Sequence, residues 1–118
     1  MKKNVVIAGK SHGWVHTGIY LKEGKRAKIS ASGLISFGPF GSWQFPPDGE
    51  STRTAQGNVP GPGLTANSLL ARAGYTPQYI GSSGELVAER DSALIIAIND
   101  DYTHDNDGFW TVFIDYEE

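Results

Sequence analysis

Between positions 99 and 108 the chain reads Asn99-Asp100-Asp101-Tyr102-Thr103-His104-Asp105-Asn106-Asp107-Gly108. Five Asx side chains besides Asn99 fall within eight residues, and the apolar runs Ala93–Ile98 and Phe109–Ile114 flank them. Two strands joined by such a loop would hold several carboxylates close together. Like charges at that range repel unless a cation sits among them. Oxygen donors with no Cys and one His suit a hard ion such as Ca²⁺. The loop is not an EF-hand. Setting Gly108 at that motif's invariant glycine puts Thr103 and Ile114 where acids are required, and the flanks read as strands. The competing reading is a solvated hairpin that turns at Asp107-Gly108. The residues alone leave the two open.

Other constellations fail on spacing. Ala8-Gly9-Lys10-Ser11 ends like a phosphate loop, but the earlier glycine that motif needs is Asn4. His12 and His16 stand four apart, yet the zinc-protease glutamate between them is Gly13. They read as incidental surface histidines. Gly81-Ser82-Ser83-Gly84 lacks the spacing of a nucleophile elbow, since Glu85 follows. The carboxylates cluster in one polar loop, which favours a cation over the separated acid pair of a glycosidase. No catalytic residue is assigned. Trp14, Trp43 and Trp110 are candidates to stack on a ligand ring. Trp110, in an apolar strand, reads as core, and Trp43 is more open.

The elements that must position the loop are short strands. The 118 residues form one domain, 1–118, large enough to bury a core, and the absence of Cys excludes disulfides and thiolate chemistry. Val5–Ala8, Trp14–Tyr20, Lys28–Ser32, Leu34–Phe37, Glu85–Glu89, Ala93–Ile98 and Phe109–Ile114 read as strands between Gly, Pro, Asn and Asp. Ser68–Arg72 reads as strand or a helical turn. Prolines and glycines in 38–67 exclude regular structure there. The pattern predicts an all-β fold, a small jelly-roll-like antiparallel β-sandwich.

Charge is divided unevenly. Residues 1–90 hold all ten Lys and Arg with five acids, whereas residues 91–118 hold eight acids and no Lys or Arg. The basic residues are scattered, which argues against nucleic acid as a partner. No apolar run reaches the ~20 residues of a membrane helix, so no membrane insertion is expected. The apolar part of Met1–Lys10 is too short for a signal peptide. A cytoplasmic chain, or one released by a route without a signal peptide, is expected.

Ordered along the chain, Gly33-Leu34-Ile35-Ser36-Phe37-Gly38-Pro39, Trp43, Asn67-Ser68-Leu69-Leu70-Ala71-Arg72-Ala73-Gly74, Asn99-Asp100, and Asp105-Asn106-Asp107-Gly108-Phe109-Trp110-Thr111-Val112 resemble the bacterial galactophilic lectins of the PA-IL (LecA) type. The resemblance implies a jelly-roll sandwich, usually a homotetramer, that binds galactose-terminated glycans, α-galactosides foremost, through one Ca²⁺. The metal would take the Phe37 and Thr103 backbone carbonyls, the Asp100 carboxylate, and side-chain oxygens of Asp105 and Asn106. Asp100, Thr103 and Asp105 would also meet the galactose 3-OH and 4-OH. Gln56 matches the family's Gln near the 6-OH, and Arg53 stands near the place of its His. Two departures are visible: Asp105 replaces an Asn, and the loop is two residues shorter between Asp100 and Asp105. Readings from other classes are a Ca²⁺-stabilised β-sandwich interaction module and an accessory carbohydrate-binding domain of a glycosidase. The first would need exposed apolar or basic residues beside the acidic loop. The second, like a small glycosidase itself, fails on the lack of an isolated acid pair.

Overall fold

Burial alternates along the longest strands, as one face turned to a core requires. The protein is described from a computed structural model covering residues 1–37 and 43–118. In β11 (Asp107–Tyr116), Trp110, Val112 and Ile114 are buried, while Phe109, Phe113 and Asp115 face out. In β3 (Arg26–Phe37), Ala27, Ile29, Ala31, Ile35 and Phe37 point inward. These strands pair antiparallel from Asp107↔Ser36 to Tyr116↔Ala27. β1 (Lys2–Ala8) covers the other side of β11. β4 (Trp43–Phe45) and, after four further strands, β9 (Ser83–Val87) extend β3, making a five-stranded sheet.

The second sheet has four strands. β10 (Ser92–Ile98) lies between β2 (Val15–Leu21) and β7 (Leu69–Arg72), and β8 (Gln78–Tyr79) lines the far edge of β7. Leu94, Ile96 and Ile98 of β10 join Ile19, Leu21, Leu69 and Ala71 in one buried cluster with the inward residues of β3 and β11. That shared core makes the two sheets a sandwich. At about 1.5–3 kcal/mol for each large side chain removed from water, this cluster is the main favourable term. Trp110 is fully buried, and its indole Nε1 donates to the Phe45 carbonyl at 3.2 Å, so its polar atom is satisfied as well. No helix occurs among the described residues, and none is therefore long and apolar enough to cross a membrane.

The all-β antiparallel sandwich agrees with the sequence reading; one open choice is resolved and three local expectations change. Ser68–Arg72 contains a strand, not a helical turn. Gly33 does not separate two strands; β3 runs through it with φ at 115°, where a Cβ would lie 2.6 Å from the Phe109 carbonyl oxygen. Segment 38–67 is not devoid of regular structure. It holds β4, β5 (Glu50–Thr54) and β6 (Thr65–Ala66), the last two forming a separate pair. Pro46, Pro47, Pro60 and Pro62 sit between these strands, where their missing N–H breaks no ladder. Finally, β10 and β11 are not a hairpin, because they belong to different sheets.

Candidate functional site

Because β10 ends in one sheet and β11 begins in the other, residues 99–106 cross from sheet to sheet at one end of the sandwich. Asn99 fixes the start of this crossing. It is fully buried, and its N–H donates to the Ser68 carbonyl at 2.9 Å. Its side-chain oxygen accepts from the Gly61 N–H at 3.0 Å. Its amide nitrogen Nδ2 lies 3.0 Å from the Gly61 and Thr65 carbonyls and 3.2 Å from that of Leu64. One side chain thus satisfies the backbone of the segment that leads into β6.

Asp100 follows, half-buried. Its Oδ1 accepts from the Tyr102 N–H at 3.1 Å, an Asx turn that starts the loop. Its Oδ2 accepts from Asn106 Nδ2 at 2.9 Å. Asn106 is 1% exposed and also donates through Nδ2 to the Gly9 carbonyl at 3.0 Å. Its backbone N–H donates to the Thr103 carbonyl at 3.1 Å. Thr103 is buried, and its hydroxyl donates to the Lys10 carbonyl at 3.2 Å. The β1–β2 loop is therefore the platform on which the 99–106 loop rests. Gly9 allows the approach, since a Cβ there would lie 2.8 Å from Ile35 Cγ2 and 3.3 Å from Asn106 Cβ.

One atom in this arrangement is left over. Asn106 Oδ1 is buried and has no hydrogen-bond donor. The amide cannot be turned to cure this, because both groups facing Nδ2, the Asp100 carboxylate and the Gly9 carbonyl, are acceptors. A buried polar atom without a partner costs about 1–3 kcal/mol. It marks a place for a donor or a cation. Phe37 is carried to the same end of the sandwich: the β3–β11 register closes at Ser36↔Asp107, and Phe37 and Asn106 are the next residue on each side. The Phe37 ring is buried against Phe45 and Trp110, and its backbone stands opposite Trp43 in the β3–β4 pair.

The structure thus brings together Asp100, Thr103 and Asn106, with Phe37 beside them. Asp105 lies exposed in the same loop, without a hydrogen bond among the described residues. Arg53 and Gln56 are exposed and lie on or just after β5. Arg53 Nε donates to Glu50 Oε2 at 2.9 Å, and Gln56 Nε2 to Thr54 Oγ1 at 3.2 Å. Neither touches the 99–106 loop by a hydrogen bond. Among the described residues, no three His, Asp or Glu side chains converge. The crowding of carboxylates expected from composition is absent: Asp107 opens β11 and accepts from the Gly108 N–H at 2.8 Å, while Asp101 stays exposed. The oxygens that do converge come from one acid, one amide and backbone.

Beside them lies a shallow depression of about 340 Å³ lined by Lys10, His12, Asp101, Tyr102, Thr103 and His104. The Tyr102 and His104 rings stand 6.0 Å apart on its wall. Trp14 is covered by the Arg72 guanidinium, 4.8 Å from the ring centroid, so that face is not free to stack on a ligand. Trp43 is exposed on β4 and pairs with Phe37; Gly38 and Pro39, which carry part of the sequence resemblance, lie outside the described residues. Sequence reasoning assigned no role to Asn99 or to the carbonyls of Gly9 and Lys10. A glycine that ends an apolar strand was the one available signal.

No family model matches the sequence, and no curated protein matches it significantly. A solved structure does: the EclA N-terminal domain, a PllA-like lectin, is 25% identical, superposes with a TM-score of 0.75, and the match covers 97% of this chain and 95% of that one. The chain is therefore a structural relative, along nearly its whole length, of the PA-IL-like lectins that its sequence resembles.

Proposed function

We propose that the chain is a calcium-dependent lectin for terminal galactosides, a binding protein rather than an enzyme. The observation that carries the reading is the buried oxygen Asn106 Oδ1, unsatisfied beside the Asp100 carboxylate. A lectin as structural neighbour supports glycan binding in general. The donor set is all oxygen, which suits a hard cation. Ca²⁺ would be held by the backbone carbonyls of Phe37 and Thr103, the Asp100 carboxylate, and side-chain oxygens of Asp105 and Asn106. Bound Ca²⁺ supplies coordination positions that a vicinal hydroxyl pair can fill in place of water.

The chain's own residues select the pair. Asp100, Thr103 and Asp105 accept hydrogen bonds from the galactose 3-OH and axial 4-OH, a cis arrangement that glucose lacks. Arg53 on β5 and Gln56 just after it are proposed to reach the 6-OH. Swinging Arg53 to the sugar breaks its ion pair with Glu50, which is exposed and worth at most about 1 kcal/mol. A single small site binds weakly, so the proposed homotetramer would supply avidity by presenting several sites at once. The test is retention on immobilised galactose, glucose and mannose. Retention on galactose alone, with release by EDTA, is expected. Galactose retention that persists in EDTA, or no retention on any galactoside, overturns the reading.

A further inference from the structure

Four large apolar side chains stand in water on the outer face of the five-stranded sheet. Val6, Leu34, Phe109 and Phe113 are 59%, 54%, 54% and 43% exposed. Phe109 lies directly opposite Leu34, and Val6 lies opposite Thr111, the residue between the two rings on that face of β11. Val6 is thus within diagonal reach of both rings. The four form one continuous patch rather than scattered singles, and such a patch marks a contact surface. Phe113 also borders a groove of about 610 Å³ that continues over Ser30 and Ser83, the small side chains beside it on β3 and β9.

One end of the patch is closed by Lys2, Asp115, Lys28 and Glu85, side by side on β1, β11, β3 and β9. Their signs alternate and sum to zero, so the row is the complement of its own reversal. A twofold axis parallel to the strands, between β11 and β3, turns the row end for end. Lys2 then meets the partner's Glu85, and Asp115 meets the partner's Lys28. The same axis sets Phe109 on the partner's Leu34, and it sets Phe113 on the partner's Ser30, within the groove. Glu117, whose N–H donates to the Arg26 carbonyl at 3.0 Å, falls on the partner's Arg26. Moving the axis onto β11 or onto β3 brings lysine against lysine and acid against acid, so the row also rejects the neighbouring registers. Asp115 and Glu85 keep their exposed neighbours, the N-terminal ammonium at 4.0 Å and Arg26 at 3.7 Å. Charge, apolar contact and the fit of ring to groove thus obey one operator, as an isologous contact requires.

We propose that two copies of this chain associate face to face through this surface, about a twofold axis between β11 and β3. Four strands across and the length of β11 span about 19 Å by 34 Å, so two copies bury roughly 1,200 Å², above the about 1,000 Å² a specific contact needs. The inference rests on the assembly proposed above only for the number of copies, and it names one interface of that assembly. Calcium and galactose play no part in it.

The test is sedimentation of the whole chain over a concentration series, in EDTA and without sugar. The wild type should sediment as two copies or a larger even number. Asp115→Lys alone and Lys28→Glu alone each create two like-charge contacts in the dimer, and each should weaken association at least about tenfold. An equimolar mixture of the two variants should restore it, because the changed side chain of each then meets an opposite charge on the other. Phe113→Ser should weaken association as well, with the fold read from its amide spectrum. The charge mixture reports on its own if Phe113→Ser does not fold. A wild type that stays single at every concentration, single variants that associate like the wild type, or a mixture no tighter than its components overturns the proposal. So does a single-copy wild type that binds another protein or a lipid vesicle through Phe113. Failure here leaves the galactoside reading standing, and loss of galactose retention leaves this interface standing.

Discussion

Asn106 donates to the Asp100 carboxylate at 2.9 Å while its own carbonyl oxygen remains buried without a donor. The pair therefore holds a negative oxygen and an unsatisfied neutral oxygen on one short loop, fixed from below by Gly9. This is an arrangement poised to gain stability from a cation. Ligand bound only to the native state adds about 2.7 kcal/mol when present at a hundred times its Kd. Ca²⁺ should accordingly raise the melting temperature of the chain, EDTA should reverse it, and Asp100→Ala should erase the response. Calorimetric melting of both proteins with and without Ca²⁺ checks this.

Gly9→Ala should damage the same site from the opposite side. The added methyl meets Ile35 and the Asn106 Cβ. Overpacking of this kind costs roughly 1–3 kcal/mol, and any movement of Asn106 detaches it from Asp100. Urea denaturation should show the loss, and the Ca²⁺-induced rise in melting temperature should shrink with it. A variant as stable as the wild type would show that the loop tolerates displacement.

Asn99→Ala should destabilise more than its loop position suggests. It removes the hydrogen bonds to Gly61, Leu64 and Thr65 and leaves buried backbone groups unpaired. The expected loss is roughly 2–4 kcal/mol in chemical denaturation. Hydrogen exchange at Gly61 should speed up ahead of exchange in β10, because its N–H loses its acceptor.

Acid should weaken a clamp at the other end of the fold. Glu89 accepts from the Thr76 N–H at 2.7 Å, the Thr76 hydroxyl at 2.9 Å and the Tyr75 N–H at 3.0 Å. The Thr76 backbone bond, then its hydroxyl, hold the carboxyl below the usual carboxylate range. A folded pKa that is lowered stabilises above the unfolded pKa, and that contribution is lost as pH falls through the folded one. Wild type and Glu89→Gln should therefore differ in stability at neutral pH and converge in acid. Parallel stability curves across that window would remove the clamp from the account.

Much of this architecture is legible in the residues. The apolar runs Ala93–Ile98 and Phe109–Ile114 announce β10 and β11, and the polar stretch between them announces the loop. Local pattern does not reveal which sheet each strand joins, so a crossing between sheets resembles a hairpin in sequence. Gly33 looks like a strand end because glycine punctuates strands, yet pairing with Trp110 carries β3 through it at a positive φ. The strands β4 to β6 are too short for alternation to emerge among prolines. Within the site, Asp100 and Asn106 are marked by type. Gly9 and Asn99 are not, because their roles arise from partners 97 and 38 residues away.

The central claim is that galactose reaches this loop through a calcium ion held by Asp100 and Asn106. Isothermal titration of methyl α-galactoside into the chain, once with Ca²⁺ and once with EDTA, tests it most directly. Saturable heat with Ca²⁺ and none with EDTA is the predicted result. Equal binding in both, or no binding in either, would contradict it.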